Sequence, residues 1–267
     1  MITHTPDNRE IYYHTTGTGP ALLLVHGGLP DYFDPLVEVL SPQYRCIAFD
    51  RLGFRRSAHL DRNTTVEEQV TAIAAVHRSV TSAPVWIFGW SSGGNYALAY
   101  ALSFPERVKG LLLVEPALYA IYPPDQKPSE VERMQNVAMP LFQHGQAEKG
   151  WYEFLDAIFG PQPWARDHPP LTAEQLEQVR SFGYDQPVVI TWCPSTADLH
   201  QFPQPVLILE GDQSPLVLRN ICHLLGRQLI NATVVTLEGQ DHEMPYAAPK
   251  IVAEQVTTFI SECESKT

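Results

Sequence analysis

Hydrophobic residues along the chain form short, nearly unbroken runs that alternate with longer stretches of helical periodicity. The runs ALLLV, CIAF, VWIFGW, GLLLV and VLILE are each the length of one buried strand. Between the second and third runs, apolar residues recur on one helical face at Val66, Val70, Ile73 and Val76, after a capping-box pattern that starts at Thr64. Apolar strands separated by helices predict a parallel sheet that helices cover on both faces.

One segment interrupts this alternation. From 119 to 200 the chain is rich in proline and aromatic residues, and it has helical patterns but no clear strand. Strand and helix patterns resume after it with the runs VLILE and ATVVTL. We therefore predict one α/β core formed by 1–118 and 201–267, with a helical cap inserted at 119–200.

Composition narrows the class of protein and of partner. The chain has 267 residues, of which 44% are hydrophobic and 18% charged, as is typical of a globular protein. Its formal net charge of -12 disfavours nucleic acids and anionic membranes as partners, because these are bound by clustered Lys and Arg. The four cysteines are scattered, and neither a membrane-length apolar run nor a signal-peptide pattern is present, so we expect a cytoplasmic location. Without metal-ligand spacing or a phosphate-binding loop, we expect no metal and no cofactor.

A candidate nucleophile lies where the run VWIFGW meets the next helical pattern. Ser91 is the central residue of the sequence GWSSG, with no spare residue between strand and helix. A serine on such a turn projects its hydroxyl above the sheet, and the flanking glycines leave room for the turn. The following amide, that of Ser92, comes at the helix N-terminus and can donate to a developing oxyanion.

This strand–turn–helix resembles the nucleophile elbow of the α/β-hydrolase superfamily, and three further stretches match that family in the same order. LLLVHGG resembles its oxyanion loop, which implies Gly28 as the second oxyanion donor, with Leu29 as the alternative. DRLGFRRS resembles a loop of the form D-x-x-G-x-G-x-S, with Arg55 where a glycine is usual, so this turn must differ or accept strain. LEGQDHEMP resembles the stretch of the catalytic histidine, which implies His242 as the general base. The resemblance implies an α/β-hydrolase fold.

The acid that would orient His242 is not where this family usually has it. The usual loop reads LILEGDQSPL here, with Ser214 in the expected position and Asp212 two residues earlier. Glu115 ends the run GLLLV, and parallel strands present their carboxyl ends to one crevice, so Glu115 can reach the same imidazole. The sequence EGDQSPLV resembles the corresponding loop of certain small esterases, which take their acid from the strand after the nucleophile helix. In those esterases the loop serine forms a helper hydrogen bond to the acid–histidine pair. We therefore predict Glu115 as the acid, Ser214 as a supporting group and Asp212 as the alternative acid, whereas Asp241 would point away from its neighbour.

These residues predict a cofactor-independent serine hydrolase that cleaves a carboxylic ester of a small, fairly apolar molecule through an acyl-enzyme. Trp90 and Tyr119, together with Leu29, are candidates for the walls of the substrate pocket, although such aromatic residues also serve simply to pack. The same groups can hydrolyse a lactone or a C–C bond next to a ketone. A protein of another class, a non-catalytic binder of small molecules, can also have this fold. Neither the substrate nor the oligomeric state follows from the sequence.

The loop DRLGFRRS also contains three arginines in an acidic protein. Arg51, Arg55 and Arg56 can bind a substrate carboxylate, which is one interpretation of this patch. A solvated loop paired with Asp50 is the commoner arrangement for such residues, and we expect it here.

Overall fold

The computed structural model describes residues 1–28, 33–160 and 170–266. Its strands, numbered in chain order, are β1 (Ile2–His4), β2 (Glu10–Thr16), β3 (Ala21–Val25), β4 (Arg45–Phe49), β5 (Val85–Trp90), β6 (Val108–Val114), β7 (Val206–Gly211) and β8 (Ala232–Leu237). They form one sheet in the order β1-β2-β4-β3-β5-β6-β7-β8. The strands β1 and β2 are antiparallel to their neighbours, and those from β3 to β8 run parallel to one another.

Helices connect these strands and cover the sheet. The α-helices are α1 (Asp34–Leu40), α2 (Val66–Val80), α3 (Ser92–Ser103), α4 (Ser129–Arg133), α5 (Met139–Gln143), α6 (Ala147–Phe159), α7 (Ala173–Thr191), α8 (Thr196–Gln201), α9 (Leu216–Gln228), α10 (Met244–Ala247) and α11 (Pro249–Glu264). A π-helix, Met134–Ala138, joins α4 to α5. Single 3₁₀ turns lie at Pro105–Arg107, Tyr119–Ile121 and Pro124–Gln126.

Each central strand contributes to two separate cores, because side chains alternate along a strand. Leu23 and Ile87 face the core that packs against α2, α3 and α9. Leu22 and Phe88 face the opposite core, which packs against α1 and α11. The prediction of a mostly parallel sheet with helices on both faces is therefore confirmed, with β1 and β2 as its antiparallel strands.

The helix α2 begins one residue later than the pattern predicted. Its N-cap is Thr65, whose side chain accepts the Glu68 amide, while the Glu68 carboxylate accepts the Thr65 amide in return. The sequence TTVEE contains two overlapping Thr-x-x-Glu patterns, so local spacing alone does not select one. Tertiary contacts select the pattern that begins at Thr65, because its Glu68 is also bound by Arg62 and Arg9. The two arginines lower the pKa of the Glu68 carboxyl to about 2.

The segment between β6 and β7, called the insertion below after the prediction, is helical or irregular in its described residues from Tyr119 to Gln201. Its two longer helices, α6 and α7, pack through aromatic rings: the Phe182 ring centroid lies 4.7 Å from that of Phe154 and 4.9 Å from that of Trp151. The cap boundaries at 119 and 200 stay a prediction. Across residues 1–28, 33–160 and 170–266, every helix is too short or too polar to span a bilayer.

Candidate active site

Ser91 occupies a strained turn between β5 and α3. Its backbone has φ 53° and ψ -128°, a conformation that residues with a side chain rarely adopt. Hydrogen bonds on both sides hold the turn: the Ser91 amide donates to Val114 O at 3.0 Å, and Ser91 O accepts the amides of Gly94 and Ala117 at 2.9 and 3.1 Å. The turn is therefore tied to the end of β6 as well as to its own helix.

The start of α3 lies against the end of β3 with no room for a side chain. A Cβ on Gly93 would lie 2.1 Å from Val25 O and 2.4 Å from His26 O. This close approach explains the second glycine of the GWSSG sequence. Ser92 is buried and is the first residue of α3. At this position the backbone amide has no acceptor within the helix.

The loop after β3 passes directly beside Ser91. A Cβ on Gly27 would lie 3.0 Å from Ser91 Cβ and 3.7 Å from Ser91 Oγ. Gly28 follows and lines the same cleft as Ser91. Leu29, the alternative oxyanion donor and a predicted pocket residue, lies outside the described residues.

Glu115, directly after β6, and His242, in the loop that follows β8, form a buried pair. His242 Nδ1 donates to Glu115 Oε2 at 2.7 Å, and the other carboxylate oxygen, Oε1, accepts the Gly211 amide at 2.8 Å. The Glu115 side chain is fully buried. An ionised carboxylate has no proton to donate, so it can only accept hydrogen bonds. The imidazole proton therefore lies on Nδ1, which leaves Nε2 unprotonated and able to act as a base.

The other predicted acids have different partners. Asp212 Oδ1 accepts the Gly239 amide at 2.8 Å and thereby holds the loop that leads to the histidine. Asp241 Oδ1 accepts the Glu243 amide at 2.9 Å, at an exposed position. Of the three carboxylates considered, the structure brings Glu115 alone onto the His242 imidazole.

The predicted helper hydrogen bond from Ser214 is absent from the structure. Its hydroxyl is buried and has no partner among the described residues. The Glu115 oxygen that does not bind His242 takes its hydrogen bond from the Gly211 amide instead. Ser214 therefore lies in the expected loop without acting on the acid–histidine pair.

Ser91 and His242 line one cleft, and no hydrogen bond joins their side chains in the part of the chain that the structure describes. In unliganded enzymes such contacts are often long and tighten only when substrate binds.

Trp90 holds the backbone of the histidine: its indole Nε1 donates to His242 O at 3.0 Å, and the two ring centroids lie 5.7 Å apart.

The cleft is a cavity of about 1210 Å³ between the carboxyl ends of the strands and the insertion. The predicted pocket residues Trp90 and Tyr119 both line it. The insertion adds aromatic walls, namely Trp151, Tyr152, Phe154, Phe159 and Phe182. Much of the cleft is therefore apolar, as is usual for small-molecule sites.

Among the described residues that line the cleft, the carboxylates outnumber the one histidine. The described lining residues include Glu174, Asp241 and Glu243 but no Lys or Arg. Burial raises the pKa of the Glu243 carboxyl above its ordinary value. Among the described residues, no three His, Cys, Asp or Glu side chains are grouped to hold a metal ion.

The arginine-rich loop has a structural role that sequence reasoning anticipated only in part. Arg56 pairs with Asp50, with Nε 2.7 Å from Oδ2, as expected. Arg55 has φ 46°, so the position where the related loop has glycine does accept strain. Arg51, however, is fully buried and pairs with Asp185 of α7, a partner 134 residues away that no local signal could have indicated.

Comparison with known proteins agrees with this architecture. A sequence model of the Alpha/beta hydrolase family matches residues 22–255. 2-(Acetamidomethylene)succinate hydrolase of Mesorhizobium japonicum is 25% identical over 257 residues, 91% of this chain and 89% of that protein. Pimeloyl-[acyl-carrier protein] methyl ester esterase of Aliivibrio salmonicida is 37% identical over 107 residues, 39% of each chain. An alpha/beta hydrolase structure from Sphaerobacter thermophilus has a TM-score of 0.77 at 24% identity, covering 97% of this chain and 100% of that one.

The predicted α/β-hydrolase fold is thereby confirmed. The family match spans most of the chain and includes each position of the candidate site, from the loop at Gly28 to His242. The chain belongs to the alpha/beta hydrolase family.

Proposed function

We propose that the protein is a cofactor-independent serine hydrolase that cleaves carboxylic esters of neutral, largely apolar molecules. The observation that carries this proposal is the buried Glu115–His242 pair, which opens onto the same cleft as Ser91 on its strained turn. The names of the two curated relatives, a hydrolase and a methyl ester esterase, support the same class of reaction.

In the proposed mechanism Ser91 Oγ attacks the ester carbonyl while His242 Nε2 accepts its proton. The amides of Gly28 and Ser92 donate to the oxyanion of the tetrahedral intermediate. His242 then returns the proton to the leaving alcohol, which departs and leaves an acyl group on Ser91. Water, deprotonated by His242, hydrolyses this acyl-enzyme and restores the free serine.

Glu115 has two tasks in this mechanism. Its Oε2 holds the imidazole in the tautomer that can accept a proton, and its negative charge stabilises the imidazolium that forms in the transition state. The Gly211 amide keeps the carboxylate in this orientation. Because the pair is buried, the charge acts in a low-dielectric environment where it is screened less than at the surface.

Covalent labelling tests the proposed nucleophile. A fluorophosphonate probe is expected to modify the protein once, with the adduct mapped by mass spectrometry to Ser91, because the probe reacts with activated serines. Ser214→Ala serves as a control, since this buried hydroxyl makes no hydrogen bond to the acid–histidine pair; its labelling should equal that of the unmodified chain. Absence of an adduct on Ser91 would favour a non-catalytic binder.

The acidic lining predicts discrimination against anionic esters. The mono-p-nitrophenyl ester of glutaric acid should have a kcat/KM at least about tenfold lower than p-nitrophenyl pentanoate, because a second carboxylate would approach Glu174, Asp241 and Glu243. The double variant Glu174→Gln/Glu243→Gln should narrow this difference. A preference for the glutarate ester would contradict the proposed substrate class. Turnover of a vinylogous β-diketone with little action on either ester would instead indicate C–C bond hydrolysis.

A further inference from the structure

Arg51 forms a buried ion pair that joins the core to the insertion. Its Nη1 and Nη2 donate to the two carboxylate oxygens of Asp185 at 3.0 and 2.9 Å. The Tyr96 hydroxyl of α3 donates to the same carboxylate at 2.6 Å. All three side chains are at most 1% exposed. A charge pair buried this deeply gives little net stability over apolar residues of the same size.

The same guanidinium binds the loop beside Ser91. Arg51 Nε donates to His26 O at 2.9 Å, and Nη2 donates to Gly27 O at 3.0 Å. The Arg51 amide donates to His26 Nε2 at 2.9 Å, so Nε2 must be the accepting nitrogen and Nδ1 carries the proton. Nδ1 accordingly donates to Gly27 O at 2.8 Å. Burial and the adjacent Arg51 charge lower the pKa of His26 well below its ordinary value, which keeps it neutral.

These contacts determine where the Gly28 amide points. Gly27 C=O and Gly28 N–H belong to one planar peptide unit, and in a trans peptide they point in opposite directions. Two donors on Gly27 O therefore fix the direction of the Gly28 N–H. Hydrogen bonds to the carbonyl also polarise the N–H of the same unit. Arg51 Nη2 also lies 3.4 Å from Ser92 Oγ, so the guanidinium contacts Ser92 and the carbonyl of the Gly27–Gly28 peptide, whose amides are the proposed oxyanion donors.

The helix α7 contacts this loop at a second point. A Cβ on Gly28 would lie 2.7 Å from two ring carbons of Phe182. Phe182 precedes Asp185 by three residues, so both side chains lie on one face of α7. The insertion thus covers Gly28 with an aromatic ring and reaches Gly27 through Asp185 and Arg51.

We propose that the Arg51–Asp185 pair is a positioning device that couples the insertion to the oxyanion loop. It holds α7 on the core and at the same time orients the Gly27–Gly28 peptide, so that the pocket wall and the oxyanion donor are set together. Its effect on catalysis rests on the proposed function. Its effect on the loop does not.

The variant Arg51→Lys tests the coupling, because lysine keeps the positive charge but has no planar fork to bind Asp185 and Gly27 simultaneously. We expect amide hydrogen exchange to accelerate at least about tenfold in the 22–28 segment and in α7, as local opening becomes easier. Hydrolysis of p-nitrophenyl esters should lose about 10- to 100-fold in kcat, with KM changed by no more than about threefold, since a misdirected donor acts mainly on the transition state.

The variant Tyr96→Phe is the matched control. It removes one buried hydrogen bond to Asp185 but leaves the ring stacked on Arg51 and every contact of Arg51 to the loop. It should lower the melting temperature while the exchange of 22–28 and kcat stay close to those of the unmodified chain. Equal exchange in the 22–28 segment for Arg51→Lys and the unmodified chain would overturn the coupling, whether or not the protein hydrolyses esters. Faster exchange with unchanged kcat in an active enzyme would overturn its catalytic part.

Discussion

Ser91→Ala is expected to lower kcat for ester hydrolysis by about 10⁵-fold or more, because it removes the proposed nucleophile of a group that acts as a unit. The measurement is single-turnover and steady-state hydrolysis of p-nitrophenyl pentanoate, with fluorophosphonate labelling on the same preparation. The fold should be unaffected, because alanine keeps the Cβ of serine and therefore has the same backbone conformational preferences. Residual activity within tenfold of the unmodified chain would exclude Ser91 as the nucleophile.

Ser91→Gly separates the strain of this turn from its chemistry. Glycine adopts φ 53° and ψ -128° without the clash that a Cβ causes, whereas alanine does not relieve it. We expect Ser91→Gly to be inactive yet more stable than Ser91→Ala by about 1 kcal/mol, after the greater chain entropy of glycine is subtracted. Denaturant unfolding of the two variants measures the difference. Equal stability would show that the surrounding hydrogen bonds absorb the strain.

Glu115→Gln is expected to lower kcat by about 10⁴-fold, because it places the histidine in the wrong tautomer. The Gly211 amide donates to Glu115 Oε1 and would keep the glutamine carbonyl oxygen at that position. The glutamine NH₂ group would then face His242 Nδ1, which must accept its hydrogen bond. The imidazole proton moves to Nε2, so the base can no longer accept the serine proton.

Asp212→Asn is the matched control for this prediction. The asparagine carbonyl can still accept the Gly239 amide, so the loop before His242 keeps its support. We expect its kcat to stay within about threefold of the unmodified chain, as for a surface substitution away from the reacting groups. A collapse of kcat in Asp212→Asn with an active Glu115→Gln would reverse the assignment of the acid.

The turn at Ser91 and the sheet were predictable because their signals are local. A strand run, a serine between glycines and a helix pattern stand side by side in VWIFGWSSGG, and their geometry depends on adjacent residues. The capping box of α2 shows where local reasoning fails even at short range. Two threonines had equivalent spacing, and contacts of Glu68 with Arg9 and Arg62 favour the later one.

The candidate acid could be predicted from the sequence only through strand topology and a family resemblance, and neither fixes the direction of a side chain. Parallel strands align their carboxyl ends, which made Glu115 a reasonable partner for His242, but Asp212 met the same condition. The choice follows from side-chain direction in the folded protein, where Asp212 binds the Gly239 amide and Glu115 faces the imidazole. Ser214 illustrates the same limit, because its loop was located correctly while its predicted hydrogen bond is absent from the structure.

By itself, the sequence determined the order of strands and helices, the turn that carries Ser91 and the loop that carries His242, because each is encoded by contiguous residues. The tertiary structure alone decided which carboxylate meets the histidine. It also decided that the Arg51 guanidinium binds both Asp185, 134 residues away, and the Gly27 carbonyl in the loop beside Ser91. It also decided which aromatic residues of the insertion form the walls of the cleft. Such contacts depend on distances between elements remote in the chain, and hydrophobic periodicity carries no information about those distances.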